Sequence, residues 1–374
     1  MQYNVFGNTG IHISALGFGA MRLPTIRDKN GTEHVRLEQS TEMLRRAFEL
    51  GVNYVDTAWF YCGGESEPAV GHALRGGWRD KIILSTKLPV HLVKERADGR
   101  RFLERQLERL DTDCIDIYHL HGIGKKSMQE TVDRFHLIDD LLRAKDEGLI
   151  RHLSFSFHDQ PEEMLPIIDR GCFSSVLCQY NLLDRANEAA MAYAKSKGLG
   201  VVVMGPVAGG RLCSSSEVLR QAVPDRKMKT PELALRFVLA NPNVDCALSG
   251  MQTLQMVQEN AGTTAGAPLQ SEEKTAIDRL SIELKQMAEL YCTGCGYCMP
   301  CPHDVNIPKC FEFMNYHRIY GLTEAARTFY ATIGAEWIPG KNASACIDCG
   351  ECEQKCPQKI PIPEQLKNTH AALG

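Results

Sequence analysis

The sequence has no strong excess of either charge: 42 lysines and arginines stand against 46 aspartates and glutamates over 374 residues, a net charge of −4. A basic footprint for nucleic acid is therefore not expected. No apolar run reaches the ~18–20 residues that a membrane span needs. The opening residues, MQYNVFGNTG, show no basic stretch followed by an apolar core, so no secretory leader is expected. The chain is read as cytoplasmic, with neither nucleic acid nor membrane among its partners. No flavin signature is present, and no internal repeat beyond two cysteine clusters. Disorder is excluded as the dominant state, because hydrophobic residues make up 44% of the chain.

Cysteine, by contrast, is plentiful. Fifteen cysteines are present, nine of them after residue 291. Cys62, Cys114, Cys172, Cys178, Cys213 and Cys246 are scattered and read as small apolar core residues. An odd count without a leader argues against a disulfide framework and for metal in the tail. The first run there is C-x₂-C-x₂-C-x₂-C-P, with Cys292, Cys295, Cys298 and Cys301. The second is C-x₂-C-x₂-C-x₃-C-P, with Cys346, Cys349, Cys352 and Cys356. The second is the bacterial ferredoxin run, and the first is one residue short in its last gap. Paired C-x₂-C also serves zinc, but zinc sites usually separate two pairs by a longer loop. Two 4Fe-4S clusters are expected. In two-cluster ferredoxins the fourth cysteine of each run binds the other cluster. By that rule Cys356 joins Cys292, Cys295 and Cys298, and Cys301 joins Cys346, Cys349 and Cys352. No C-x₃-C-x₂-C run points to radical S-adenosylmethionine chemistry.

Ahead of the tail, short β-branched runs alternate with amphipathic segments. The predicted strands are Ala15–Phe18, Val52–Asp56, Lys81–Thr86, Ile115–His119, His152–Phe155, Ser175–Gln179, Gly200–Met204 and Val244–Leu248. Several intervening helices end at glycine (Gly51, Gly148, Gly198), which closes a helix cheaply in the left-handed conformation. Eight strand–helix units over ~250 residues is the arithmetic of a (β/α)₈ barrel. A hairpin turning at Asn8-Thr9-Gly10 is expected to plug its floor. One helix is predicted over Gln129–Glu147, another over Glu272–Leu290 leading out of the barrel, and a helical stretch near Ile307–Ile333 between the cysteine runs. The fold class is α/β: a (β/α)₈ barrel over 1–285, then a small, mainly helical ferredoxin-like domain over 286–374.

Chemistry-bearing residues fall at strand ends, where barrel enzymes place catalytic groups. Asp56 ends the second strand, Lys87 follows the third and His121 the fourth, while Tyr61 lies five residues after Asp56. His119 competes with His121 but lies further back in the strand. A carbonyl that accepts hydride develops alkoxide charge and needs a proton. A tyrosine of ordinary pKa ~10 is a poor donor near neutrality unless a cation such as Lys87 lowers that value. Asp56 would keep the lysine charged, and His121 would orient the carbonyl oxygen.

These residues, with Gly17-Phe18-Gly19, Gln179, Gly205–Gly210 and Glu259-Asn260, resemble the aldo-keto reductase family over residues 3–285. More narrowly, the chain is similar to the branch with a C-terminal ferredoxin-like domain. The resemblance implies that Asp56, Tyr61, Lys87 and His121 are the catalytic tetrad and that a nicotinamide nucleotide is the cofactor. Ser156 and Gln179 would grip its carboxamide. Gly205, Pro206, Val207, Gly209 and Gly210 would carry its pyrophosphate, and Ser249, Gly250 and Asn260 its adenosine end. Where the family has Ser-Asn, this chain has Ser156-Phe157. Met204 replaces an aromatic that many members stack on the nicotinamide, and Met256 a residue that often contacts a 2′-phosphate. Arg211 is the candidate to compensate, and both NADP(H) and NAD(H) stay open.

The expected activity is reduction of a small-molecule aldehyde or ketone, or oxidation of the corresponding alcohol. Hydride moves two electrons and a cluster one. The clusters would therefore staple the tail or sense oxygen, relay electrons to a barrel-bound substrate from a ferredoxin or other electron-transfer protein, or make the chain an electron carrier.

Overall fold

The computed structural model describes residues 1–30, 32–223, 228–289, 292 and 294–374. By contacts the chain forms two compact units: Met1–Pro206 with Leu235–Pro268, and Val207–Ala234 with Leu269–Gly374. The expected boundary at 285 follows the change in composition, whereas this division follows packing.

The first unit is a closed barrel of eight parallel strands: β1 (Leu16–Gly19), β2 (Tyr54–Asp56), β3 (Ile83–Leu88), β4 (Ile115–Ile123), β5 (Ile150–Phe157), β6 (Ser175–Gln179), β7 (Gly200–Met204) and β8 (Cys246–Ser249), with β8 pairing β1. All eight predicted strands are found. Buried on both faces, they read as near-continuous apolar runs. Tyr54, Ile117, Leu177, Val202, Cys246 and Leu248 form one interior cluster with Phe6 and Ile13 of the N-terminal hairpin (Tyr3–Val5 paired with His12–Ser14). A side chain on Gly200, the first residue of β7, would meet the Phe6 ring at 2.3 Å. The hairpin thus plugs the floor, as expected.

Around the strands lie α1 (Leu37–Glu49), α2 (Ser66–Leu74), α3 (Ala97–Leu110), α4 (Leu137–Asp146), α5 (Met164–Ile168), α6 (Glu188–Ser196), α7 (Thr230–Leu239, which spans the division between units) and α8 (Leu254–Ala265). The single helix predicted over Gln129–Glu147 is instead two. A π-helical turn covers Met128–Asp133, and His136, left-handed at φ 53°, starts α4. Both oxygens of Asp133 accept from Arg170, at 2.6 and 2.8 Å, which fixes the first piece apart from the second.

The second unit holds α9 (Ser271–Glu289), α10 (Ile307–Arg318), α11 (Thr323–Tyr330) and α12 (Ile362–Leu373). The predicted end of α9 at Leu290 lies outside the described residues. Gly321, at φ 64°, breaks the expected 307–333 stretch into α10 and α11. Phe311, Phe313, Tyr330, Ile362 and Leu366 form the core, with Cys352 buried among them and most of the other tail cysteines packed against it. Among the described residues, no helix is long and apolar enough to cross a membrane.

Candidate active site and cluster cavities

Strand register builds the acid–base group. Asp56 pairs with Ser85 across β2 and β3, and Lys87 pairs with His119 across β3 and β4. The Lys87 side chain is 1% exposed. Its ammonium donates to Asp56 Oδ1, to the Thr57 carbonyl at 2.8 Å and to the Tyr61 hydroxyl oxygen at 3.2 Å. An ammonium has three hydrogens, and all three are placed. The Tyr61 oxygen accepts from Lys87, so its own proton is free to point elsewhere. Asp56 Oδ2 accepts from Ser85 Oγ at 2.9 Å. Burial draws the Lys87 pKa down, but Asp56 and Tyr61 outweigh it and leave the ammonium above its ordinary value.

For Tyr61 the expected direction is corrected. Burial pushes its pKa up, and Lys87, although it pulls the other way, does not reverse the shift. The phenol is therefore a protonated acid. Of the two histidines, His121 is the one whose ring meets Tyr61, centroids 6.0 Å apart and nearly perpendicular. Burial, helped by Lys87, lowers the His121 pKa to about 2, so the imidazole is neutral. His121 Nδ1 is buried without a hydrogen-bond partner among the described residues. His119 is wholly buried in the barrel, with Nε2 3.9 Å from Asp56 and 3.5 Å from the Tyr54 hydroxyl.

Sequence reading missed what holds this group. The Tyr61 loop runs through Cys62, Gly63 and Gly64 at φ 53°, 66° and 91°. Such a run is strained at its non-glycine residue. Arg109 of α3 reaches across it, donating to the carbonyls of Trp59 (3.1 Å) and Gly64, with its guanidinium 4.3 Å from the Trp59 ring. Glu67, buried at the start of α2, pairs with Arg109 Nε at 3.1 Å and accepts from Thr86 and Gln106 at 2.6 and 2.5 Å. Gln106 also donates to the Lys87 carbonyl at 3.1 Å. These contacts join residues up to 50 positions apart, and no local motif marks them. Phe60 lies flat on His121, centroids 4.9 Å apart and planes 7° from parallel.

The residues expected to hold the nucleotide divide between the two units. In the first, Ser156 Oγ at the end of β5 is buried with no partner among the described residues, an orphan suited to a bound amide. Gln179 ends β6 beside Gly205, which has φ 64°, and a side chain on Gly205 would meet Gln179 Oε1 at 2.6 Å. Asn181 donates to the Gly205 carbonyl at 3.0 Å. Ser249 ends β8 and accepts from Asn260 of α8 at 3.2 Å, with Gly250 next in the chain. Pro206 ends the first stretch of this unit, whereas Val207, Gly209, Gly210 and Arg211 belong to the second. Arg211 is occupied there by Tyr316, Phe329 and Glu312.

Two concavities lie among the tail cysteines. One is lined by Cys301, Cys346, Cys349 and Cys352, with Cys298 also on its wall. The other is lined by Cys292, Cys295, Cys298 and Cys356. In each, thiols surround a space instead of meeting at a point. Soft donors so arranged fit a polynuclear iron–sulfur group.

A model of the aldo/keto reductase family matches residues 15–282, and one of a 4Fe-4S dicluster domain matches residues 291–360. An L-galactose dehydrogenase of Arabidopsis thaliana is 30% identical over 288 residues, covering 70% of this chain and 87% of that protein. The holo form of aldo-keto reductase AKR11C1 from Bacillus halodurans is similar with a TM-score of 0.64 and 29% identity, over 75% of this chain and 96% of that one. An aldo/keto reductase from Klebsiella pneumoniae, solved in complex with NADP and acetate, is similar with a TM-score of 0.61 and 28% identity, over 74% and 94% of the two chains. The protein belongs to the aldo/keto reductase family and is an oxidoreductase whose barrel is followed by a 4Fe-4S domain.

Proposed function

We propose that the protein catalyses NAD(P)H-dependent reduction of an aldehyde or ketone, or the reverse oxidation, with Tyr61 as the general acid. The observation that carries this reading is the fully placed Lys87 ammonium, bonded at once to Asp56 and to the Tyr61 oxygen. A bound nicotinamide nucleotide supplies or accepts the hydride. Tyr61 donates its proton to the developing alkoxide, while Lys87 stabilises the phenolate that remains. Neutral His121 orients the carbonyl oxygen through a ring N–H. Ser156 and Gln179 hold the carboxamide, the Gly205–Gly210 backbone the pyrophosphate, and Ser249, Gly250 and Asn260 the adenosine end. The Klebsiella neighbour solved with NADP supports a nicotinamide nucleotide as the cofactor. The test is anaerobic turnover of small aldehydes and ketones with NADPH and NADH. No turnover and no binding of either nucleotide would overturn it.

The pH profile follows from the two shifts. Burial holds His121 neutral until pH falls towards about 2, and Tyr61 stays protonated beyond the ordinary phenol range. Reduction should therefore show no acid limb near the ordinary histidine pKa of ~6.5. A kcat/KM profile that falls by half near that value, and loses the fall in His121→Gln, would contradict the assignment.

We infer two 4Fe-4S clusters with crossed ligands: Cys292, Cys295, Cys298 and Cys356 for one, Cys346, Cys349, Cys352 and Cys301 for the other. The linings of the two cavities support this division. Starting from C295A, which removes one cluster, adding C356A should leave the remaining iron in place, whereas adding C301A should abolish it. The opposite pattern would show that each run closes on itself.

A second reading has the clusters relay electrons from a ferredoxin or similar protein. Cys295 and Cys349, one in each inferred set, are exposed. Turnover with reduced ferredoxin and no nicotinamide would favour that reading. Eight cysteines grouped in two cluster-ligand runs support placing the protein in a reducing compartment, the cytoplasm.

A further inference from the structure

Helix α10 serves two neighbourhoods with successive turns. Its first turn lines the cluster cavities, Ile307 on one and Pro308 and Phe311 on the other. Its later turns hold an arginine from the segment that follows β7. The Arg211 guanidinium lies 5.3 Å from the Tyr316 ring and 4.8 Å from the Phe329 ring of α11. Its Nη2 is 3.9 Å from Glu312 Oε1. Glu312 is itself fixed, accepting from the Tyr316 hydroxyl at 2.8 Å and from Lys309 at 2.5 Å. Phe313, fully buried in the core that contains Cys352, stands 6.2 Å from the Tyr316 ring and 6.1 Å from that of Phe329. A continuous run of packed groups therefore leads from the cysteine cavities to Arg211.

Arg211 directly follows Gly209 and Gly210, at φ 65° and 101°. Two adjacent glycines give a backbone with little conformational preference of its own. What fixes the run is what anchors its ends, and on this side the anchor is the flat guanidinium set against two rings. Its Nη1 also donates to the Ala208 carbonyl at 3.5 Å, so the same side chain grips the run it terminates. A hydrogen bond further along ties the segment to the turn after α10: Ser216 Oγ donates to the Tyr320 carbonyl at 2.6 Å.

We propose that Arg211 is a positioning residue that ties the glycine run 207–210 to the helix lining the cluster cavities, so that cluster loading strengthens the binding of a nicotinamide dinucleotide and the bound dinucleotide slows cluster loss. The proposal rests on the reading that the pyrophosphate lies along 205–210. The two directions are one coupling seen from either site, and linkage makes the thermodynamic part reciprocal. Arg211 thereby acts on the nucleotide through the backbone of the loop and does not take the role of a 2′-phosphate ligand.

The test uses cluster-loaded wild type, R211A and R211K, prepared anaerobically. Hydrogen exchange in peptides covering 207–213 should be roughly tenfold faster in R211A and intermediate in R211K, while the β7 peptide is unchanged. NADPH should bind roughly tenfold more weakly to R211A. NADPH should slow iron release to a chelator in wild type and not in R211A, a difference that a merely destabilised tail would not produce. Equal protection of 207–213 in wild type and R211A would overturn the tie. A wild type that binds neither NADPH nor NADH would overturn the nucleotide reading beneath it, and the exchange result stands apart from that outcome.

Discussion

Tyr61→Phe should lower NAD(P)H-dependent carbonyl reduction by about 10²–10⁴-fold, the usual contribution of a positioned acid. The substitution removes one oxygen and little else. The ring keeps its edge contact with Phe60, centroids 5.7 Å apart, and the loop keeps its Arg109 donors. Lys87 loses one of three acceptors and retains Asp56 and the Thr57 carbonyl. Nucleotide affinity and iron content should match wild type, so the loss should appear in kcat. A variant within tenfold of wild type, with iron and nucleotide binding intact, would remove Tyr61 from the chemistry.

Lys87→Met should cost about 3–5 kcal/mol of stability, because it strands a buried carboxylate. Asp56 would keep the hydroxyls of Ser85 and Tyr54 as donors, neither of them charged. Burial already raises the Asp56 pKa in the intact pair, and removing the ammonium raises it further. A group whose folded pKa lies above its unfolded value stabilises the fold below the unfolded pKa, and that stability is lost as pH rises through the folded pKa. The variant should therefore lose less stability in mild acid than at neutrality. The double variant D56N/K87M should recover most of the loss, since both charges leave together. Urea midpoints for the two single variants and the double variant check this. A double variant no more stable than K87M alone would mean that the pair is not the unit of stability.

The barrel was legible because its strands are buried on both faces. Runs such as Val201–Met204 stay apolar throughout and are bounded by glycine, which local reading detects well. The cysteine runs were legible for a similar reason, since their ligands are close in sequence. What escaped is what joins distant positions. Glu67, Gln106 and Arg109 carry no motif, and their role exists only once α2 and α3 pack beside β3. Arg211 is expected from sequence to compensate for Met256, and nothing local shows that two rings more than 100 residues later hold it. The direction of the Tyr61 shift was misread because sequence reveals the neighbouring cation but not the depth of burial that outweighs it. The break at His136 was invisible because Gln129–Glu147 keeps one helical periodicity through it.

The brace from Arg109 to the loop after β2 has a further consequence. A segment turning through three successive positive-φ residues has little reason to hold one shape by itself. Its order is borrowed from α3, through donors to two carbonyls and the face of Trp59. Mild heating that loosens α3 would thus disarm the proton donor while the staves of the cylinder remain closed, so loss of turnover should precede loss of the far-ultraviolet dichroism of the barrel.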